Sequence, residues 1–147
     1  MKYSQGNLGR IFVIRLEDGD RLPDIIEKFA AEHGVLRGTC IMVGGIDDGG
    51  KIVVGPENST VMPPIPIPFE LEGAHEVAAV GTIFPNEEDK PILHMHAALG
   101  REGITRTGCI RLGVESWLVT EVILLEITNN NALRLTDPES GFELLEP

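Results

Sequence analysis

Apolar and polar residues follow two different periods along this chain, and each period predicts its own kind of element. Over residues 22–33 the apolar positions recur at intervals of three and four, which is the spacing of an amphipathic helix. Gly34 follows directly, where the C-terminal cap of a helix is expected, and Asp20 stands in front as the predicted N-cap. This is the one clear helix that the sequence predicts.

Shorter stretches with period-two alternation or apolar β-branched runs predict strands, and clusters of Gly, Asp, Asn and Pro separate them. Residues 117–127 form the most hydrophobic run and are predicted to be a buried central strand. Many short strands, one helix and no βαβ alternation favour an α+β domain with a largely antiparallel or mixed sheet. The predicted strands are residues 10–16, 38–46, 51–54, 69–71, 75–84, 91–99, 104–110, 117–127 and 132–135.

Three further segments carry local predictions. Residues 55–68 contain five prolines, which predicts a stiff, extended loop that forms neither a helix nor a central strand and that reaches over a neighbouring surface or subunit. The pair Gly44 and Gly45 predicts a tight bend or a β-bulge, because no glycine-rich phosphate-binding motif surrounds it. Residues 136–147 are expected to be a loosely held C-terminal tail.

The strand predicted over residues 91–99 carries the main candidate chemistry. Side chains two positions apart on a strand share a face, so His94 and His96 are neighbours with Cα atoms roughly 6.5–7 Å apart, close enough to reach one metal ion. The alternative is that both imidazoles are structural and bond to backbone or water. Ile92 and Ala98 share their face, and unpaired imidazoles on such a half-buried surface would be costly, which favours the metal.

Two other residues are candidate ligands beside this pair. A short turn after residue 99 is predicted to return the chain as a hairpin, and a pairing of Leu99 with Ile104 would place Cys109 opposite His94 on the histidine face. The alternative for Cys109 is a small apolar core residue. His75 supplies a third nitrogen if its strand neighbours the hairpin; otherwise it is an ordinary core or surface histidine.

Composition and charge narrow the function. The 147 residues suffice for one domain, 1–147, with a core of its own. The formal net charge of −11 argues against tight binding to nucleic acid or anionic lipid, since both depend on clustered Lys and Arg. Two cysteines allow one disulfide at most, and no apolar run approaches the roughly 20 residues of a membrane span. A cytoplasmic location is the expectation, and the absence of a GxSxG motif leaves a serine hydrolase without support.

The order of these motifs resembles the plants-and-prokaryotes-conserved (PPC) domain family. The resemblance covers about residues 8–128 and rests on the helical segment, the Gly-Gly strand, the proline-rich insertion, Val80-Gly81, His94-x-His96, the Gly103 turn and the long final strand. It implies an α+β fold with an antiparallel sheet, a homotrimer and, in some members, a zinc ion held by His-x-His and the histidine of a later Gly-Gly-His motif. The architecture is also similar to that of acetolactate decarboxylase, which holds its metal with histidines.

Two positions depart from the family pattern. Thr107-Gly108-Cys109 stands where the family has Gly-Gly-His, and His75 stands six residues before Gly81, where a glutamate is usual. Sulfur and nitrogen ligands suit Zn²⁺ or another divalent transition metal. A site made of His75, His94, His96 and Cys109 would be closed and structural, whereas three of them plus water would leave an open position for chemistry.

Three functions therefore compete at the level of sequence. The first is a metal-binding homotrimer with a pocket for a small molecule and, if it is an enzyme, metal-dependent chemistry on a small carbonyl compound. The second is DNA binding or regulation, which plant members of the family suggest through an AT-hook outside this domain; this sequence contains no such motif. The third is a scaffold trimer without chemistry.

Overall fold

The computed structural model describes residues 1–111 and 113–147, and within them one helix and eleven strands are found. Nine strands form one sheet in the order β1-β9-β3-β6-β7-β8-β4-β5, with β2 added to β9, and every pairing is antiparallel. The elements are β1 (Asn7–Leu16), β2 (Arg21–Leu22), α1 (Asp24–Glu32), β3 (Gly38–Ile46), β4 (Lys51–Pro56), β5 (Pro66–Glu70), β6 (His75–Pro85), β7 (Pro91–Arg101), β8 (Ile104–Ile110), β9 (Val114–Thr128), β10 (Leu133–Thr136) and β11 (Glu143–Glu146). The predicted α+β class with a mostly antiparallel sheet is confirmed.

Helix α1 lies where the apolar spacing predicts it, and its buried residues Ile26 and Ala30 join the core beneath β7. It ends as predicted, because Gly34 adopts a positive φ of 65°. The predicted N-cap is wrong. Asp20 instead accepts a hydrogen bond from the Glu17 N–H inside the preceding turn, and Pro23, whose ring fixes φ near the helical value, begins the helix without a side-chain cap.

The predicted bulge at the diglycine is confirmed. The pairing of β3 with β9 shifts its register between Gly44 and Gly45, and Gly44 has a φ of 142°. A Cβ atom at Gly44 would lie 2.1 Å from the Val119 carbonyl oxygen. Only glycine lets the two backbones approach this closely.

Strand β9 is central, between β1 and β3, but only one of its faces is buried. Val122 and Leu124 are fully buried on the core side, whereas Ile123 on the opposite side is 36% exposed. No helix of the described residues covers this outer side of the sheet, so its apolar side chains stay exposed. The cross-strand neighbours of Ile123 on this side are also apolar, and together they form a row across the sheet. This outer apolar row consists of Val13, Ile123, Ile41 and Val80.

The proline-rich segment and the C-terminus are more ordered than the sequence predicts. Strand β5 begins at Pro66 rather than at residue 69, and it lies at the sheet edge, where a residue without an N–H is tolerated. The expectation of a loose tail is wrong, because β11 pairs antiparallel with β10 as a separate two-stranded sheet.

Within the described chain, no helix is both long and apolar enough to span a membrane.

Candidate metal centre

His94 and His96 project from the face of β7 opposite the core, next to Thr82 and Val80 of β6. Their Nε2 atoms lie 3.1 Å apart, and their ring planes are nearly perpendicular at 83°. Two nitrogens bound to one tetrahedral Zn²⁺ would be separated by about 3.3 Å, given Zn–N bonds of about 2.0–2.1 Å. The strand alternation therefore brings the two imidazoles together at a separation that suits a shared ion.

Cys109 lies opposite His96, not opposite His94 as predicted. The β7–β8 turn contains only Glu102 and Gly103, both with positive φ, so Arg101 pairs with Ile104. This register differs from the predicted one by two residues. Because side-chain direction repeats every two residues, an even shift leaves the thiol on the histidine face.

The three side chains form one cluster. The ligand atoms of His94, His96 and Cys109 all lie within 4.8 Å of one another. A bound Zn²⁺ would require an S···N separation of about 3.6 Å, so the thiol has to approach by about 1.2 Å at most. Two imidazoles and a thiol form a nitrogen and sulfur donor set, which suits Zn²⁺ better than the hard cations Ca²⁺ and Mg²⁺.

Burial sets the protonation of these donors. Partial burial, followed by the charges of His96, Arg134 and Arg111, lowers the pKa of His94, so its imidazole is neutral near pH 7 and keeps a lone pair for a metal. Burial raises the pKa of the Cys109 thiol, and the positive charge of Arg111 opposes that shift. Metal binding would therefore have to displace a proton from the thiol.

The remaining titratable candidates lie elsewhere. His75 is buried on the core face of β6, and its Nδ1 is 2.8 Å from the Gly73 carbonyl oxygen. It is five residues along β6 from Val80 and seven from Thr82, the partners of His96 and His94, which is roughly 17 and 23 Å at the rise of a strand. The prediction that His75 joins the cluster is therefore wrong. Cys40 is also buried in the core, with burial raising its thiol pKa to about 11, and neither cysteine forms a disulfide.

The cluster lines a cavity of about 800 Å³. One wall comes from the proline-rich segment, including Pro64 and Pro66, and another from the C-terminal hairpin, including Phe142. Arg134 of β10 also lines it, a residue that sequence reasoning missed. The only available signal was that Ala132 and Arg134 fall on the same face of the predicted last strand, and both are in fact buried.

The fold and the cluster together define a class: a single-helix antiparallel β domain that presents a His-x-His pair and a cysteine on its sheet. The model of the Plants and Prokaryotes Conserved (PCC) domain matches residues 3–128, and the chain belongs to this family. The C-terminal hairpin follows the matched region. No curated protein matches the sequence.

Several solved structures share the fold. A plant- and prokaryote-conserved protein from Pyrococcus horikoshii is 24% identical with a TM-score of 0.84, over 100% of this chain and 98% of that one. A metal-containing protein from Archaeoglobus fulgidus is 23% identical with a TM-score of 0.85, over 100% of both chains. A Bacteroides thetaiotaomicron protein, provisionally described as DNA-binding, is 16% identical with a TM-score of 0.75, over 97% and 98% of the two chains.

Proposed function

We propose that this protein binds a divalent transition metal, with Zn²⁺ as the best match, through His94, His96 and Cys109. The observation that carries the proposal is the convergence of three donor atoms within 4.8 Å on the wall of a cavity. The lowered pKa of His94 adds support, because a neutral imidazole is the form that binds metal. The metal-containing neighbour from Archaeoglobus fulgidus is consistent with this assignment.

His94, His96 and Cys109 would hold the metal through three protein ligands on the wall of the cavity. A metal held this way supplies Lewis-acid chemistry, polarising a carbonyl oxygen or lowering the pKa of a bound water. The chain's own contribution is to fix the three donors on two paired strands and to line the adjoining cavity largely with apolar residues. The site is therefore suited to binding, and to chemistry on, a small carbonyl compound.

We also propose that the protein assembles as a homotrimer. The outer apolar row crosses four strands and ends at Val80, whose cross-strand partner is His96. Val80 is 61% exposed and Ile41 is 51% exposed in the isolated chain, which is unfavourable for adjoining apolar side chains in water. Packing between copies would cover this row and lie directly beside the metal ligands.

DNA binding is the competing function, suggested by the description of the Bacteroides neighbour. The net charge of −11 disfavours it, because affinity for the phosphate backbone depends on clustered basic residues. Tight, sequence-selective retardation of duplex DNA in a gel shift at low salt would reverse this judgement.

The metal proposal is tested by elemental analysis of protein that is loaded with Zn²⁺ and then dialysed. Wild-type protein is expected to retain about one Zn²⁺ per chain, and the double variant His94→Ala/His96→Ala close to none. His33→Gln is the matched control, since His33 lies exposed beyond the helix end and outside the cavity lining. Equal zinc contents in the wild type and the double variant would contradict the proposal.

A further inference from the structure

Arg134 is an arginine buried without a carboxylate partner among the residues that the structure describes. It is only 5% exposed, and its hydrogen bonds all come from Nη2, which donates to Thr82 Oγ1 at 3.1 Å and more weakly to the Thr82 carbonyl oxygen at 3.4 Å. Its Nε–H is buried and has no hydrogen-bond partner within residues 1–111 and 113–147. The guanidinium also lies over the Phe84 ring, with Cζ 5.9 Å from the ring centroid, which offsets part of its desolvation cost, and a bound anion would offset more of it.

The position of Arg134 points to the cavity as the source of that anion. Arg134 lines the cavity, and Thr82, which it contacts, is the cross-strand partner of His94. The anion position and the metal cluster are therefore adjacent parts of one cavity.

The charges along the cavity favour an anion even though the protein as a whole is acidic. The chain has 12 basic residues against 23 acidic ones, yet the charged residues among the described lining of the cavity are two arginines, Arg111 and Arg134, and one carboxylate, Glu143. The negative charge of Glu143 partly counters the burial that lowers the pKa of Arg134. No ion pair within 4.0 Å joins Glu143 to Arg134 in the described chain, so the guanidinium remains free to take another carboxylate.

We propose that the cavity binds a small organic carboxylate whose carboxyl group pairs with Arg134. The apolar body of this ligand would pack against Ile92, Phe142 and Leu144, which line the same cavity. A planar guanidinium matches a carboxylate in geometry, and an apolar cavity of about 800 Å³ is of the size that holds small molecules. The end of the ligand away from Arg134 then faces the metal cluster.

This proposal names a ligand class for the cavity beside the proposed metal site. It rests on the proposed function only for the orientation of the ligand end away from Arg134, because Arg134 attracts a carboxylate without a metal. The guanidinium and the metal can each bind a carboxylate, so their contributions to binding are measured separately. The probes are isovalerate, a branched carboxylate, and isovaleramide, its neutral isostere. Binding is measured by calorimetry or ligand-observed NMR, with metal-free and with zinc-loaded protein.

Metal-free wild-type protein is expected to bind isovalerate about tenfold or more tightly than isovaleramide, which is the worth of one charge-assisted pair. Arg134→Met is expected to abolish this preference while the protein still retains zinc, which verifies that the fold and cluster are intact. Arg21→Met is the matched control, because Arg21 forms an exposed ion pair with Glu115 away from the cavity.

Glu143→Gln gives a second measure that leaves Arg134 in place. This variant is expected to bind isovalerate severalfold more tightly and isovaleramide equally well, because it removes the one carboxylate among the lining residues. An unchanged preference in Arg134→Met, or no preference in the wild type, would overturn the proposal.

The two proposals fail in different ways. If isovalerate binds only in the presence of zinc and Arg134→Met leaves that binding unchanged, the metal recognises the carboxylate, so this inference is wrong and the metal site stands. If the protein retains no zinc but binds isovalerate through Arg134, the proposed metal function is wrong and this inference stands.

Discussion

His96 and Cys109 are direct partners across the β7–β8 ladder, so the backbone pairing of two strands fixes how far the imidazole lies from the thiol. His94 reaches the same point from two residues earlier on β7, with its Nε2 atom 3.1 Å from that of His96. Donors on a paired ladder are held by many backbone hydrogen bonds. A site built in this way is better ordered than one carried by loops.

Replacing the thiol tests this arrangement. Cys109→Ala is expected to weaken metal binding by at least about tenfold, because it removes one of three ligands, whereas Cys109→His restores a third nitrogen and recovers most of the affinity. Affinity is measured by competition with a zinc chelator. Cobalt-substituted wild type should also show a thiolate-to-metal charge-transfer band that both variants lack. Cys40→Ala is the control, and a band that persists in Cys109→Ala would contradict a thiolate ligand at this position.

The ion pair between Arg10 and Glu126 makes stability depend on pH. Arg10 contacts both carboxylate oxygens of Glu126, at 2.8 Å through Nε and 2.7 Å through Nη2, and lowers the pKa of that carboxyl to about 2. Because the folded-state pKa is depressed, the contribution is fully present above the ordinary pKa of about 4.5 and is lost as the pH falls toward 2. Arg10 is half exposed, so solvent screens the pair and we expect its contribution to stability to be small.

This contribution is measured by urea unfolding between pH 2 and pH 7, comparing wild type with Glu126→Gln. The variant is expected to be less stable at pH 7, with a smaller loss of stability on acidification. Glu121→Gln is the control, since Glu121 is exposed on the opposite face of the same strand. Parallel acid profiles for wild type and Glu126→Gln would show that the pair does not carry the effect.

The bulge at Gly44 is expected to tolerate no side chain. Gly44→Ala combines a φ of 142° with a Cβ 2.1 Å from the Val119 carbonyl oxygen, so we expect a loss of stability of about 3 kcal/mol or more. Gly100→Ala is the matched control in β7, where a Cβ would meet only Thr105 Oγ1, at 3.8 Å. Thermal denaturation measures both variants. Similar midpoints for the two would show that the backbone at residue 44 relaxes readily.

The homotrimer is tested at the outer apolar row. Val80→Lys is expected to convert a trimer to monomers, because it places a charge within an apolar contact. Sedimentation or light scattering measures the mass in solution. Ile104→Lys is the control, because Ile104 is 60% exposed at the start of β8 and outside the row. A monomeric wild type, or a Val80→Lys variant that remains trimeric, would contradict assembly through this row.

Prediction from sequence succeeded where the determining interactions are local. The spacing of Ile26 and Ala30 located α1, the diglycine located the bulge, and alternation placed His94 and His96 on one face. It failed at Asp20, whose carboxylate bonds within its own turn instead of capping α1. Whether Asp20 caps the helix or bonds within the turn depends on which backbone N–H lies within reach of its carboxylate. The spacing of apolar residues does not show this.

The sequence by itself determined the helix, most of the strands and the histidine pair, because residues two to four positions apart are set by the geometry of a strand or a helix. Only the tertiary structure decided that His75 lies roughly 20 Å from the pair, that Cys109 faces His96, and that Arg134 reaches Thr82, 52 residues earlier in the chain. These relationships depend on strand order, on register and on the return of the last hairpin over the sheet. They are set by the burial of one shared core, to which distant segments contribute together.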